Sequence, residues 1–452
     1  MTLPSWTRAA RLATQTPPER NRYVDLLRAA SICLVILGHW LVVAIYTQEG
    51  TISAEDALSV IPWTQWLTWP FQVMPVFFLV GGYVNGLGWQ SAQRRQEGYA
   101  AWLARRLQRL IVPVLPVLAA WTLIGAVLQG SVGIGSTGFY FDPFLMKIAS
   151  QFALLPAWFL VVYILMVLLT PLSYRAWQRY GLASFWALAA AAALVDLLAL
   201  GAGWHAAGWI NYLFIWLAVH QLGFAWQAGR MGGPRRCLLW AAGGLIALIA
   251  LVSLDTYPIS MVSVGSEEIS NSLPPRITLL ALGAAQTGLL LALERPARRL
   301  LERGALWTTT VLINGMIMTV FLWHVTVLET VIALTFLTGG LETNYWLSFV
   351  PGTASWWLTR PLWIAVLVVA LIPFAALFNR FERIGRARHG PAPPAWQLLL
   401  GCALVCLGLS ILTLRGIPTA TWPGINLLAL GLPFVGAAFV WFGPRRARDL
   451  GE

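Results

Sequence analysis

The sequence is short of charge. Only 11% of its 452 residues are charged, whereas soluble domains carry about a quarter. Hydrophobic residues make up 58% of the chain. This composition excludes a soluble globular protein and predicts one that crosses a membrane several times. The formal net charge of +12 does not predict nucleic-acid binding, because the basic residues lie in short segments between apolar runs.

Cysteine is also scarce. The four cysteines lie in or beside apolar segments and have no CxxC spacing; they are Cys33, Cys237, Cys402 and Cys406. This spacing supports neither a disulfide framework nor a zinc site, so we expect no metal. The HExxH, GxSxG and Walker motifs are absent as well. Their absence removes the sequence signals of a zinc protease, an α/β-hydrolase and a P-loop nucleotidase.

Long apolar runs make up most of the sequence. We predict an all-α, polytopic transmembrane bundle of about 12 spans, since a crossing needs roughly 20 apolar residues. The predicted spans are 24–47, 64–87, 110–130, 151–173, 183–201, 208–228, 238–254, 275–293, 307–336, 359–379, 397–414 and 425–442.

The arginines predict the orientation of these spans. Nearly all basic residues fall at alternate ends of the spans. The other side has only Lys147, Arg276, Arg360 and Arg415, and Arg28 lies within the first span. By the positive-inside rule both termini are therefore cytoplasmic. We divide the chain into a cytoplasmic tail (1–23), a ten-span membrane core (24–380), a cytoplasmic linker (381–396) and two additional spans with a tail (397–452). We expect a multi-pass protein of the cytoplasmic membrane.

The first span carries the most informative residues. Asp25, Arg28 and His39 lie in or next to its apolar run, although ionisable groups in hydrocarbon cost at least about 2.5–3.5 kcal/mol each. Arg28 and His39 are eleven residues apart, so they share a helix face at a separation of about 16 Å. We therefore predict a functional stripe on this helix, in which Arg28 does not touch His39.

Other polar residues allow two interpretations each. Arg105, Arg106 and Arg109 cluster where a span begins, either as ordinary inner-face anchors or as a clamp for a phosphorylated ligand. His324 within a span either bonds a neighbouring helix or takes part in function. Asp196, also within a span, either pairs with an arginine or lines a polar path.

Four motifs in order resemble the membrane acyltransferase family 3. They are Arg28-x10-His39, the run from Phe77 to Tyr83, the run from Arg105 to Pro113, and Trp158-Phe159-Leu160. The resemblance covers roughly residues 20–380. It implies an enzyme that transfers an acetyl or other short acyl group from cytoplasmic acyl-CoA to a hydroxyl or amine of an extracytoplasmic glycan or lipid-linked glycan.

The resemblance also implies roles for residues. His39 would be the catalytic histidine with Arg28 as its motif partner, and we count Asp25 with them as catalytic. Arg28 would either stabilise negative charge on the thioester oxygen or on CoA, or position Asp25. Arg105, Arg106 and Arg109 would meet the CoA phosphates, and Trp158 and His324 are further candidates. Acyl-CoA is the donor substrate, and no permanently bound cofactor is expected. Membrane lipid surrounds the chain, and the sequence leaves a homodimer open.

A transporter or flippase is the alternative from another class. Arg28, His39, Asp196 and His324 would then line a polar path, and solute would move without consumption of acyl-CoA. A structural or sensory membrane protein is a weaker alternative, because idle charges in a membrane are costly. Neither the acceptor nor the acyl chain follows from the sequence.

Overall fold

The computed structural model describes residues 6–48, 51–132, 143–265, 267–338, 349–386, 391–419 and 424–442. Most of these residues are helical. The first half of the chain contains α1 (Trp6–Thr14), α2 (Arg22–Val42), β1 (Val43–Gln48), β2 (Thr51–Asp56), α3 (Ala57–Val60), α4 (Thr68–Phe71), α5 (Met74–Arg94), α6 (Tyr99–Ile111), α7 (Leu115–Val132), α8 (Pro143–Ala153), α9 (Pro156–Tyr180) and α10 (Ala183–Asp196).

The second half continues in the same way. Its helices are α11 (Asn211–Gln227), α12 (Pro234–Val252), α13 (Ile277–Ala292), α14 (Glu294–Leu300), α15 (Gly304–Gly315), α16 (Ile317–Leu337), α17 (Ala354–Arg386), α18 (Ala395–Arg415) and α19 (Leu427–Trp441). Short 3-10 turns cover Pro62–Leu67, Val112–Val114 and His205–Ile210, and a π-helical turn covers Leu197–Gly201.

The prediction of an all-α polytopic bundle is confirmed, with fewer full-length spans than predicted. Within the described ranges, nine helical segments are long and apolar enough to cross a membrane. The bent pair α13 and α14 makes a tenth if it counts as one crossing. Helices α11, with 17 residues, and α19, with 15, fall short of the same length. Each of the twelve predicted spans nevertheless coincides with helix.

The first span ends earlier than predicted. Helix α2 stops at Val42, and the chain turns into an antiparallel hairpin in which Val43 of β1 pairs with Asp56 of β2. The β-branched residues Val43, Ile45 and Thr47 alternate along β1, which is the pattern of a strand rather than of a continuing helix. The prediction of helix to residue 47 was therefore wrong for its last five residues.

Side-chain bonds gather helix ends at two opposite ends of the bundle. At the first end, which we call the arginine end, Asn21 contacts Glu294, and Asn314 donates to the carbonyl of Asp25. At the opposite end, Asp196 accepts bonds from the side chain of Arg276 and the backbone N–H of Ile277. Helix α13 therefore runs from the opposite end, where Arg276 and Ile277 lie, to the arginine end, where Glu294 follows it.

The predicted span 307–336 is broken. Helix α15 ends at Gly315, and α16 starts at Ile317 after the non-helical Met316. The buried carboxylate of Glu382 in α17 accepts bonds from the backbone N–H and the hydroxyl of Thr319, at 3.1 and 3.0 Å. This bond satisfies one of the N–H groups that the first turn of a helix leaves unpaired. The break and its cap fix where α16 begins.

The last two helices pack together and against the core. Gly401 and Gly436 bring α18 and α19 into close contact, because an added Cβ on either would press on the other's carbonyl oxygen. Gln108 of α6 donates to the carbonyl of Val440, and Gln151 of α8 donates to that of Leu414. The boundaries of this pair as a separate unit stay a prediction. Helix α17 continues to Arg386, into the predicted linker.

Candidate active site

Two histidines from distant parts of the chain meet inside the bundle. The distance from His39 Nδ1 in α2 to His324 Nε2 in α16 is 2.7 Å. The two rings stack with centroids 5.0 Å apart and planes inclined by 10°. His324 is fully buried, whereas His39 is partly accessible. His39 is therefore the more accessible member of the pair.

Backbone and indole groups hold His324 in place. Its Nδ1 lies 2.6 Å from the carbonyl oxygen of Phe321. The indole Nε1 of Trp40 donates to the carbonyl of His324 at 3.0 Å, and Trp363 of α17 donates to the carbonyl of Trp40 at 3.1 Å. Three helices are thus joined at the level of the histidine pair.

These contacts assign the protons of a neutral pair. A carbonyl oxygen only accepts, so His324 Nδ1 carries its proton and donates to Phe321, which leaves His324 Nε2 as an acceptor. His39 Nδ1 must then carry a proton and donate to His324. It follows that His39 Nε2 holds an unshared electron pair. A histidine nitrogen oriented in this way by a second group can act as a base or as a nucleophile.

The surroundings of the pair are aromatic and open on one side. The Phe152 ring of α8 lies 6.4 Å from the His39 ring, and the Phe321 ring lies 6.1 Å from the His324 ring. Gly38, next to His39, is exposed, and an added Cβ there would meet no atom within 4 Å. The rings of Phe152 and Phe321 thus border the imidazoles, and the neighbouring position Gly38 of α2 is uncovered.

Asp25 and Arg28 lie at the arginine end, away from the histidines. Arg20 binds the Asp25 carboxylate with two nitrogens, at 2.6 and 3.0 Å, and Arg28 Nη1 lies 3.9 Å from it. Helix α2 is continuous from Arg22 to Val42, which places Asp25 about 21 Å from His39 along the axis. Asp25 therefore orients arginines and does not join the histidine pair, and Arg28 and His39 do not touch.

The three arginines of α6 do not act as one cluster. Arg106 points inward, where it donates to the carbonyl of Val84 at 3.1 Å and stacks on Trp102 at 5.7 Å. Gly88 of α5 provides the space, because a Cβ there would collide with the Arg106 guanidinium. Arg28, Arg105 and Arg109 all lie close enough for their positive charges to act on Arg106.

Arg105 and Arg109 take the other face of α6 and are both exposed. Arg105 forms an ion pair with Glu97 in the connection between α5 and α6. The hydrogen bond from Arg105, and the weaker contribution of Arg95, lower the pKa of the Glu97 carboxyl below its ordinary value. Of the three predicted phosphate-binding arginines, the structure thus directs Arg106 toward the interior.

Trp158 and Asp196 lie outside this site. Trp158 contacts Phe159, Tyr212 and Trp216 and belongs to an aromatic cluster facing α11. Its neighbour Phe159 contacts Phe321 instead, at 5.6 Å, and so borders the site.

Asp196 is buried at the end of the bundle opposite the arginine end. It binds Asn211, Tyr257, Arg276 and the backbone N–H of Ile277. Its neighbours satisfy it fully, so it fixes the connection between α12 and α13 and is not oriented toward His39.

The sequence alone did not reveal several parts of the site. The partner of His39 is 285 residues away in the chain, the carbonyl of Phe321 has no side-chain signal, and Phe152 looks like any apolar helix residue. The one local signal is a tryptophan beside each histidine, Trp40 and Trp323. In the part of the chain that the structure describes, three or more His, Cys, Asp or Glu side chains do not converge as metal ligands.

Comparison with known proteins adds one match. Residues 21–380 match the family described as "Acyltransferase domain", the membrane acyltransferase family 3. Neither the curated proteins nor the solved structures contain a match. The matched range includes both histidines, Asp25, Arg28 and the three arginines of α6. The chain therefore belongs to the membrane acyltransferase family 3, and it is an acyltransferase.

Proposed function

We propose that this acyltransferase moves a short acyl group, such as acetyl, from cytoplasmic acyl-CoA to a hydroxyl or amine of an extracytoplasmic glycan or glycolipid. The observation that carries the proposal is the contact of His39 Nδ1 with His324 Nε2, whose Nδ1 in turn contacts the Phe321 carbonyl. From it we infer a free electron pair on His39 Nε2. The thioester of the donor is already activated for acyl transfer. The enzyme must therefore supply a group that takes the proton of the acceptor.

In the simplest course of the reaction, His39 is a general base. Its Nε2 takes the proton of the acceptor hydroxyl, and the oxygen attacks the thioester carbonyl. The carbon–sulfur bond then breaks, and the CoA thiolate receives the proton. Alternatively His39 Nε2 attacks the thioester carbonyl and the carbon–sulfur bond breaks to release the CoA thiolate. The acyl group then passes from Nε2 to the acceptor oxygen or nitrogen, and the acceptor proton goes to the thiolate. In both courses His324 stabilises the positive charge that develops on His39 by accepting its Nδ1 proton.

The arginine end suits the donor. Arg28 and Arg106 bring positive charge to the interior at this end, and guanidinium groups bind phosphate oxygens in pairs. Arg28 and His39 are separated by about 16 Å along α2. CoA has its phosphates and its thioester at opposite ends of a long flexible arm, so one molecule can meet both. We accordingly place both chain termini and the CoA phosphates in the cytoplasm.

The experiment that tests this function follows the acyl group. Envelope glycans and lipids from cells with and without the gene are compared by mass spectrometry, and membranes are incubated with radiolabelled acetyl-CoA. We expect an acyl mass shift that depends on the gene, together with release of free CoA. Movement of a solute without consumption of acyl-CoA would instead support a transporter with a polar path past His39 and His324.

Replacement of Arg106 by methionine should weaken donor binding. We expect the KM for acetyl-CoA to rise roughly 10- to 100-fold, because hydrogen bonds to charged groups contribute about 1.5–3 kcal/mol. The turnover number should change less. The matched control is Arg105→Met, since Arg105 is exposed and paired with Glu97. Equal effects of the two substitutions on KM would contradict the inward role of Arg106.

A further inference from the structure

One buried carboxyl group has no role in the mechanism above. Both carboxylate oxygens of Glu329 in α16 are inaccessible to solvent, and neither has a hydrogen-bond partner among the described residues. The residue as a whole is partly exposed, so its carboxylate is its buried part. Acidic and basic side chains at lipid surfaces normally do the reverse and extend the charged group toward water.

The direction of α16 places Glu329 beyond the histidine pair. Asn314, just before α16, bonds to Asp25 at the arginine end, so α16 runs away from that end. Glu329 lies five residues after His324, about 7.5 Å farther along the axis. It is therefore on the side of the histidines opposite to Arg28, where the acceptor approaches in the proposed reaction. Five residues also turn an α-helix by about 140°, so Glu329 and His324 lie on different faces of α16 and are farther apart than this rise alone.

Helical periodicity shows which neighbour Glu329 faces. Leu322, Thr326 and Glu329 follow at intervals of four and three residues and so share one stripe of α16. The indole of Trp121 in α7 donates to the Thr326 hydroxyl at 3.0 Å, which shows that this stripe faces α7. Glu329 continues the stripe by one turn. Its carboxyl group is thus held between helices.

We propose that Glu329 binds the acceptor by hydrogen bonding to one of its hydroxyl or amine groups. An unpaired carboxyl group in a membrane interior is destabilising unless a ligand supplies a partner. A carboxyl group accepts from the hydroxyl or ammonium donors that an acceptor of acyl groups carries. The role of Glu329 is to hold a part of an extended acceptor that is remote from the hydroxyl or amine at His39. This inference rests on the proposed function.

The test measures donor binding separately from transfer to the acceptor. Glu329→Leu and Glu329→Gln are compared with the wild type and with Glu302→Gln, a control at an exposed position near the arginine end. Binding of acetyl-CoA to the purified protein is measured by calorimetry. Transfer is measured as incorporation of radiolabelled acetyl groups into membranes that contain the endogenous acceptor. Thermal unfolding of each variant is measured in detergent.

For Glu329→Leu we expect acetyl incorporation to fall roughly 10- to 100-fold, with unchanged acetyl-CoA affinity. Its melting temperature should equal or exceed that of the wild type, because an unpaired buried carboxyl group is removed. Glu329→Gln keeps a hydrogen-bonding head and should retain intermediate transfer.

Three results would overturn the role of Glu329. They are unchanged incorporation in Glu329→Leu, a loss of acetyl-CoA affinity in parallel with incorporation, and a melting temperature well below that of the wild type. The last would show a structural role. A wild-type protein that neither binds acetyl-CoA nor incorporates acetyl groups would instead refute the proposed function itself.

Discussion

His39→Ala is expected to reduce acyl transfer by roughly 100- to 10,000-fold, which is the usual contribution of a general base. The physical reason is that His39 Nε2 is the ring nitrogen of the pair left with a free electron pair. The measurement is incorporation of radiolabelled acetyl groups from acetyl-CoA into membranes, normalised to the amount of protein in them. Acetyl-CoA affinity should change little, because the arginine end is about 16 Å away.

His205→Ala provides the matched control for this experiment. His205 is exposed in the 3-10 turn His205–Ile210 and should tolerate the change. Transfer at the wild-type rate by a well-expressed His39→Ala protein would refute the role of His39. Rapid quenching of the wild-type reaction then separates the two courses. Label attached to His39 would identify it as the acyl carrier, and its absence during turnover would identify a general base.

His324→Phe is expected to have the second largest effect. Phenylalanine keeps a ring stacked on His39 but removes the acceptor for the His39 Nδ1 proton. His39 can then move its proton to Nε2, which blocks the reactive electron pair. Loss of such an orienting group lowers kcat by up to about 10,000-fold, and the effect of His324→Phe should not exceed that of His39→Ala. The KM for acetyl-CoA should stay close to the wild-type value.

A double variant makes this prediction specific. If His39 and His324 act as one unit, His39→Ala combined with His324→Phe should be no slower than His39→Ala alone. His324→Asn, whose side-chain oxygen can still accept, should recover part of the activity that His324→Phe loses. Effects of the two single substitutions that multiply in the double variant would show that the histidines act independently.

Much of the fold could be predicted because apolar runs and arginine placement are local signals. Each predicted span coincides with helix, and the separation of Arg28 from His39 follows from the rise of a continuous helix. Two features escaped this reasoning. The end of α2 at Val42 depends on strand pairing with β2, and the break at Met316 depends on Glu382, which lies 63 residues after the Thr319 that it binds. Both depend on partners that hydropathy does not identify.

The site was harder to predict than the fold. His39 and His324 were each recognisable as polar residues in apolar runs, but nothing in the sequence pairs them. The run from Arg105 to Arg109 suggested one cluster, whereas neighbouring positions on a helix point about 100° apart. Arg106 therefore turns inward while Arg105 turns outward. Membership of the acyltransferase family could be inferred from the order of the motifs. The proton positions on the two histidines could be assigned only from their contacts in the structure.

The carbonyl of Phe321 limits what side-chain mutagenesis can detect at this site. The group that orients His324 belongs to the main chain, so replacing the Phe321 side chain leaves the acceptor oxygen in place. An alanine scan would therefore not remove the oxygen that accepts the His324 Nδ1 proton, whatever else Phe321→Ala does to packing. The group that orients His324, the Phe321 carbonyl oxygen, is part of the backbone of α16. Only a change in main-chain geometry can remove it.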